Sequence, residues 1–186
     1  MNENTVIKAK AYKAGWISSD LLEVSFLKNT YTPDSVIYLT KPNDRYRDDK
    51  NKLLIDREKG LADFRSGTWV AFRENRMEIL LPFSKAVTVQ SVGLSGLIDV
   101  GSYIMPPASV EIWGGDDVKH LKLLGQIRPE QPGKQMPSIT KNFECKFKPA
   151  FVKYVKIIAN PVGKLPAWHQ GKGDKAWVFV DEVLVN

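Results

Sequence analysis

Apolar and polar residues alternate along most of this chain with a period of two, the spacing of a β-strand that has one buried face. Near the start, residues 5–11 and 22–26 show this alternation, and the segment 13–16 between them has the composition of a turn. The pattern then breaks at residues 31–34. We therefore predict two short strands joined by a turn, followed by a module boundary near residues 29–34.

The longer second part of the chain continues the same alternation. Met77, Ile79 and Leu81 share one face of a predicted strand, and the phase of the pattern changes between Val89 and Val92, which predicts a β-bulge. Further alternating segments lie at 110–113, 143–148, 152–159 and 176–185. Helical periodicity is nearly absent, and we expect at most one short helical turn within 55–64. Many short strands joined by turns predict an all-β fold, an antiparallel β-sandwich of jelly-roll type.

The composition fits one domain of ordinary size and narrows the classes of partner. The chain has 186 residues, 43% of them hydrophobic, and a net charge of +6. Its lysines are spread over strands and loops, so we read them mainly as solvated outer faces and expect no nucleic-acid partner; a basic groove for nucleic acid or acidic glycans is the alternative. No apolar stretch is long enough to span a membrane, so we expect no membrane insertion.

Residues that could catalyse a reaction are scarce. The two histidines, His120 and His169, lie far apart in sequence, and no common nucleophile, zinc-protease, phosphate-loop or dinucleotide motif occurs. The single cysteine, Cys145, lies in an alternating apolar segment and is expected in the core. The segment 114–117 (GGDD) is expected to form a hairpin turn, the alternative being that its two aspartates act as an acid/base pair. We therefore expect that this chain is not an enzyme.

One loop carries the ligand chemistry of calcium. Calcium takes carboxylate oxygens and the carbonyl oxygens of bent loops, and the segment 54–63 offers both, with Asp56, Gly60 and Asp63 as candidate ligands. Glu182, on the last predicted strand, could close the site if the ends of the domain meet. The alternative is a loop tied by hydrogen bonds of Asp56 and by a salt bridge, without a metal.

Exposed aromatic side chains could stack on the apolar face of a sugar ring. Trp69 and Trp177 belong to alternating segments and are expected in the core. Trp168 lies in a polar, glycine-rich loop, and its sequence context fits exposure and core packing equally. His169 beside it is either a partner for a sugar hydroxyl group or simply a loop residue.

Six stretches of the chain follow one known domain pattern. They are 54–60 (LIDREKG), 63–72 (DFRSGTWVAF), 101–107 (GSYIMPP), 110–114 (VEIWG), 154–157 (YVKI) and 163–182 (GKLPAWHQGKGDKAWVFVDE). Through them, residues 54–183 resemble a discoidin domain, also called a coagulation-factor type C or galactose-binding-like domain, in the version found at the C-terminus of bacterial chitobiase and β-hexosaminidase-like proteins. Three residues depart from that pattern. Arg57 replaces a glycine, which stiffens the calcium loop, and Tyr103 and Met105 replace Trp and Phe.

The start of the chain resembles a different unit. Residues 5–28 are similar to the last strands of the immunoglobulin-like, fibronectin-associated module that often precedes a discoidin domain. We therefore predict that residues 1–30 are the end of a truncated module of this kind and that residues 31–186 form the discoidin-like domain.

The resemblance implies a non-catalytic carbohydrate-binding accessory domain of an exported bacterial glycan-processing protein, chitobiase-like or hexosaminidase-like. The location would be extracytoplasmic, and the partners would be upstream domains and a glycan of galactose or N-acetylhexosamine type. We expect Tyr103 or Trp168 to stack on the sugar, Arg65 and His169 to hydrogen-bond its hydroxyl groups, and a structural calcium ion to fix the base of the loops. The alternative is a structural or protein-docking β-sandwich without a sugar ligand.

Overall fold

The structure, a computed structural model, describes residues 5–186 and is built from β-strands. The strands are β1 (Thr5–Ala9), β2 (Leu22–Phe26), β3 (Ile37–Tyr38), β4 (Val70–Phe72), β5 (Met77–Ile98), β6 (Ser109–Gly115), β7 (Lys122–Ile127), β8 (Ile139–Asn160) and β9 (Val178–Val185). The helical elements in this range are three short 3-10 helices at Asp44–Tyr46, Val100–Ser102 and Val118–His120. The all-β class predicted from the sequence is confirmed.

Within residues 5–186, seven strands form one antiparallel sheet in the order β4-β9-β5-β8-β6-β7, and β3 pairs with β5. The long strands β5 and β8 pair with each other, but their register shifts between Pro82 and Val87 and again between Val89 and Ser91. The second shift is the bulge that the phase change predicted. Bulges bend and twist a strand, so the two ends of β5 and β8 enclose a core, as the jelly-roll sandwich requires.

The core lies between the two halves of this folded sheet. Ile79 and Leu81 of β5 and Ile112 of β6 belong to the same buried cluster as Leu94, at the other end of β5, and Val180 of β9. Full burial of an aliphatic side chain of this size stabilises the fold by about 1.5–3 kcal/mol. The packing of these side chains therefore holds the two halves of the sheet together.

The sequence placed three particular side chains in the interior, and the structure agrees. Cys145 and Trp69 are buried. Trp177 is partly buried and packs against Phe179, with 5.8 Å between the ring centroids. Cys145 belongs to the hydrophobic core, and burial raises the pKa of its thiol.

The first residues of the sandwich, 29–31, are hydrogen-bonded to its last residues, 185 and 186. The amide of Thr30 donates to the carbonyl of Val185 and to Oδ1 of Asn186, each at 3.0 Å. The amide of Tyr31 also donates to Val185 at 3.0 Å, and Oδ1 of Asn29 accepts the amide of Val185 at 3.0 Å. The first residues of the sandwich therefore form the hydrogen bonds of an extra strand beside the end of β9.

The strands β1 and β2 form a separate two-stranded sheet, in which Ile7 lies opposite Val24. This hairpin leaves apolar side chains in solvent, with Ile7 50% exposed and Phe26 39% exposed. An isolated hairpin is marginally stable in water. The assignment of residues 1–30 to an immunoglobulin-like module stays a prediction, and its residues 1–4 lie outside the described range.

Two local predictions differ from the structure. Residues 55–64 form turns and bends, so the predicted helical turn is wrong. Amides of this segment bond to carboxylates of β9, and those bonds replace the ones that a helix would make. Gly114 and Gly115 belong to β6 and not to a turn. The connection to β7 is made instead by a 3-10 helix, whose first turn Asp117 caps by accepting the amide of Lys119.

Candidate functional site

Loops gather at one end of the sandwich and enclose a cleft of about 450 Å³. They are the segment around the second 3-10 helix, the connection between β7 and β8, and the long loop that leads into β9. The residues around the cleft are Gly101, Gly133, Lys134, Gln135, Trp168, His169 and Gln170. The cleft therefore combines one large aromatic side chain with amide and ammonium groups, the composition of a small-ligand site.

Trp168 is the exposed aromatic residue of this cleft. It is 40% exposed, and its ring lies 5.7 Å from the imidazole ring of His169 at an angle of 58°. The sequence left exposure and core packing open for this residue, and the structure favours exposure. An indole that is half in contact with its own loop and half in solvent offers a flat apolar surface to a ligand.

His169 holds the loop beneath Trp168. Its side chain is buried, its Nδ1 accepts the amide of Gly171 at 2.9 Å, and its Nε2 lies 2.7 Å from the carbonyl oxygen of Val100. Because Nδ1 accepts, the proton is on Nε2, which donates to Val100. Both ring nitrogens are thus in use within the protein. The prediction that His169 hydrogen-bonds a sugar hydroxyl is corrected, since the imidazole has neither exposure nor a free nitrogen for it.

Tyr103 supports the same loop from the other side. Its φ of 66° is in the left-handed region, its carbonyl oxygen accepts the amide of Trp177 at 2.8 Å, and its ring centroid lies 5.0 Å from that of His169. The ring also packs directly on Gly171. Tyr103 is therefore half-buried under the loop that carries Trp168, in a position that suits support of the loop better than stacking on a sugar.

The polar rim of the cleft comes largely from residues that sequence reasoning missed. Gln170 donates from Nε2 to the carbonyl oxygen of Gly101 at 3.0 Å, which ties two loops together. Lys134 and Gln135 come from the connection between β7 and β8. Their segment is rich in proline, glycine and polar residues, which predicts a loop but says nothing about which other loop it meets.

Arg65 is not brought to this cleft. Its guanidinium carbon lies 4.6 Å from the ring centroid of Phe64, and its amide donates to Oδ1 of Asp63 at 2.9 Å. Phe64 belongs to a second apolar cluster, with Trp69 and Phe179. The four predicted sugar-binding residues thus separate into a loop group of Tyr103, Trp168 and His169, and a single arginine elsewhere.

A second group of polar residues surrounds Glu182, which is only 5% exposed. Its Oε2 accepts the amide of Arg57 at 3.1 Å, whereas its buried Oε1 has no hydrogen-bond partner. Burial, opposed by that amide and assisted by the negative charges of Asp56 and Asp181, raises the pKa of Glu182 to about 8. Burial also raises the pKa of Asp181, which accepts the amide of Gly60 at 2.6 Å.

The predicted calcium ligands fit this arrangement in part. The unpaired buried Oε1 of Glu182 is an oxygen of the kind that calcium binds. The amide of Gly60 donates to Asp181. Asp56 and Asp63 each accept the amide two residues further along the loop. The predicted set of Asp56, Gly60, Asp63 and Glu182 therefore stays a prediction, and Asp181 lies next to Glu182 in the chain. Within residues 5–186, His, Cys, Asp and Glu side chains form no group of three that could hold a metal ion by themselves.

Comparison with known proteins places the fold. The sequence matches no protein-family model and no curated protein. Among solved structures, CpGH89CBM32-5 from Clostridium perfringens, in complex with GalNAc-β-1,3-galactose, is 14% identical, with a TM-score of 0.53 over 81% of this chain and 92% of that chain. A pectin binding carbohydrate binding module is 12% identical, with a TM-score of 0.52 over 84% of this chain and 92% of that one.

A longer protein also matches. Truncated AlyQ, with CBM32 and alginate lyase domains, is 16% identical with a TM-score of 0.49, over 83% of this chain and only 32% of that chain. The fold is shown by the two matches with TM-scores above 0.5. The chain is thus an antiparallel β-sandwich of jelly-roll type, and its structural neighbours are carbohydrate-binding modules. The described part of the chain contains no helix with the length and apolar character of a membrane span.

Proposed function

We propose that this chain is a non-catalytic carbohydrate-binding domain whose ligand stacks on Trp168 in the loop cleft. The observation that carries the proposal is the geometry of Trp168 itself. Its half-exposed indole stands beside Lys134, Gln135 and Gln170, which can donate hydrogen bonds to hydroxyl groups, while His169 fixes the loop from below. An apolar surface with a polar rim matches a sugar ring, which has an apolar face and a polar edge.

The ligand class follows from the size and openness of the site. A cleft of about 450 Å³ suits one or two sugar units of galactose or N-acetylhexosamine type, and the neighbour CpGH89CBM32-5 holds GalNAc-β-1,3-galactose. Binding would be weak, because an open cleft buries little of a small ligand. We place the domain outside the cytoplasm, next to upstream domains of a glycan-processing, chitobiase-like or hexosaminidase-like protein.

The proposed function is tested by calorimetric titration with galactose, N-acetylglucosamine, N-acetylgalactosamine and GalNAc-β-1,3-galactose. Trp168→Ala should lower affinity by about tenfold or more, as for an aromatic residue that dominates an interface. Trp16→Ala is the matched control, because Trp16 is 71% exposed but lies on the hairpin loop. Equal loss of affinity in both variants, or no saturable binding by the wild-type protein, would refute the proposal.

A structural calcium ion forms part of this proposal. It would bind Glu182 through the unpaired Oε1, with Asp56 and carbonyl groups of the same loop as further oxygen ligands. Its role would be to neutralise the buried carboxylates and to fix the loop at 54–63, which lies between the first 3-10 helix and β4 and contacts β9.

A docking role is the second candidate, and the hairpin of β1 and β2 is the observation that favours it. Ile7, Leu22, Val24 and Phe26 lie on one face of this hairpin and are each 39% exposed or more. A contiguous apolar surface of this kind is typical of a protein contact. It would contact the rest of the immunoglobulin-like module, of which the sequence predicts this hairpin to be the end, and it does not compete with the loop cleft.

A further inference from the structure

A second surface of the sandwich carries three arginines, each of which lies over an aromatic ring. The guanidinium carbon of Arg65 is 4.6 Å from the ring centroid of Phe64. The corresponding distances are 5.6 Å from Arg45 to Tyr46 and 5.4 Å from Arg73 to Trp177. We name this surface the arginine face, defined by Arg45, Arg65, Arg73 and the three rings beneath them.

The three pairs belong to one surface because their rings share one buried neighbour, Phe179. The ring centroid of Phe179 lies 4.7 Å from that of Tyr46, 5.8 Å from that of Trp177 and 6.3 Å from that of Phe64. Phe179 is only 3% exposed. The three guanidinium groups therefore lie over rings of a single packed aromatic cluster.

The guanidinium groups of the arginine face have no carboxylate partner among residues 5–186. Of the nearby acids, Asp44 pairs with Lys41 and Glu74 pairs with Lys175, and the charge of Arg73 acts on Glu74 at longer range. Asp63 caps the backbone at position 65. Arg73 donates one hydrogen bond, from Nε to the carbonyl of Lys175 at 3.3 Å. The remaining N–H groups of the arginine face are left to bind an external anion.

We propose that the arginine face binds a polysaccharide that carries carboxylate groups, such as a polyuronate. A guanidinium group presents its N–H donors as a planar fork that fits both oxygens of a carboxylate, and stacking on a ring leaves this edge free. Because several arginines lie on one cluster, a chain with repeated carboxylates can contact more than one of them. The site is separate from the Trp168 cleft and is independent of the function proposed for that cleft.

A nucleic acid is the other polyanion that a basic surface could take, but the rings argue against it. Single-stranded nucleic acids bind by stacking bases on free aromatic faces. Here each ring has one face under a guanidinium group, and the rings contact each other edge-on, as Tyr46 and Trp177 do at 80°. The arginine face offers forked donors for carboxylates and no open platform for a base.

The test is a titration of the full chain with polygalacturonate at low and at physiological salt. The variant replaces all three arginines (Arg45→Gln, Arg65→Gln and Arg73→Gln). The matched control removes the same charge from three exposed lysines near the opposite edge of the sheet (Lys119→Gln, Lys122→Gln and Lys153→Gln). We expect the arginine variant to lose affinity by about tenfold or more and the lysine variant to change by less than about twofold. Equal losses would overturn the proposal.

Further experiments distinguish recognition of carboxylates by the arginine face from other causes of polymer binding. Fully methyl-esterified polygalacturonate, which has no free carboxylate, should not bind, and double-stranded DNA should bind at least about tenfold more weakly than polygalacturonate. Equal binding of either polymer would overturn the proposal. Excess galactose, which carries no carboxylate and is a ligand proposed for the Trp168 cleft, should not displace polygalacturonate, so failure of the proposed sugar cleft would not imitate failure here; displacement by galactose would overturn the proposal. Replacing the three arginines by lysine keeps the charge; unchanged affinity in that variant would also refute recognition by the guanidinium fork.

Discussion

The α-carbon of Gly171 rests directly on the ring of Tyr103. A β-carbon at position 171 would lie 2.0 Å from Cε1 of Tyr103, far closer than any non-bonded contact allows. Gly171 also donates its amide to Nδ1 of His169. This glycine therefore lets the loop that carries Trp168 approach the segment at Tyr103, and the position of Trp168 depends on it.

Gly171→Ala should displace this loop. Because the ring of Tyr103 is held between Gly171 and His169, we expect the free energy of unfolding to fall by about 1–3 kcal/mol, and sugar affinity at Trp168 to fall with it. Urea unfolding and titration would measure the two effects. Gly163→Ala is the control, since a β-carbon there meets nothing within 4 Å. A Gly171→Ala protein with wild-type stability and affinity would contradict the described contact.

His169→Ala removes two buried hydrogen bonds that close the same loop. The amide of Gly171 and the carbonyl of Val100 would both lose their partner, so we expect a loss of about 1–3 kcal/mol in the free energy of unfolding. His120→Ala is the matched control, because the side chain of His120 is 80% exposed and its ion pair with Asp117 lies at the surface. Similar destabilisation by the two substitutions would show that His169 does not support the loop.

The stability of the metal-free protein should depend on Glu182. Its pKa is about 8 in the folded protein and lies near its ordinary value of 4.5 in the unfolded chain, so the folded state keeps a proton that the unfolded state releases. The free energy of unfolding should therefore decrease from about pH 4.5 to about pH 8, by a few kcal/mol at most, and then level off. Glu182→Gln should remove most of this decrease, the rest coming from Asp181, whose pKa burial also raises, whereas Glu58→Gln, at an exposed position of the same loop, should leave it unchanged.

Calcium binding at Glu182 should raise the stability of the protein, whereas ionisation of Glu182 without the metal should lower it. If Glu182 ligates the ion, addition of calcium to chelator-treated protein should raise the thermal midpoint above pH 7, since an ion that binds only the folded state stabilises it. Glu182→Gln should abolish this rise, and magnesium should not reproduce it, because it prefers a smaller, rigid octahedral site. A calcium effect of equal size in the Glu182→Gln variant would show that the ion binds at another site.

Position 57 allows a test of backbone strain. Arg57 has a φ of 67°, in the region that glycine adopts most readily, and its side chain donates from Nη2 to Oγ1 of Thr32 at 2.6 Å. Arg57→Gly and Arg57→Ala both remove that hydrogen bond but differ in the β-carbon. We expect the glycine variant to be the more stable by about 1 kcal/mol. At Lys59, whose φ is not in this region, the order should be reversed.

Much of the fold could be predicted because alternation is a local property of strands. The phase change at Val89 to Val92 predicted the bulge, and the apolar period at Cys145 predicted its burial. The segment 55–64 could not be predicted in the same way. Its conformation depends on Asp181 and Glu182, which lie more than a hundred residues away and accept its amides.

Only part of the candidate site could be predicted from the sequence, because its geometry also depends on contacts between residues far apart in the chain. Trp168 could be proposed because a tryptophan in a polar, glycine-rich loop is conspicuous. The sequence could not show that His169 faces inward, since the direction of a loop side chain is decided by its partners, here Val100 and Gly171. Lys134 and Gln135 were missed because a cleft formed by three loops depends on which loops meet.

The hydrogen bonds between Thr30 and Asn186 have a consequence for how this sandwich can be combined with other protein. The first and last residues of the sandwich therefore lie side by side, so both of its chain ends leave at the same point. Such a unit can be spliced into an exposed loop of a host protein without forcing the host ends apart. A circularly permuted chain that joins residue 186 to residue 30 and opens elsewhere should therefore retain its fold.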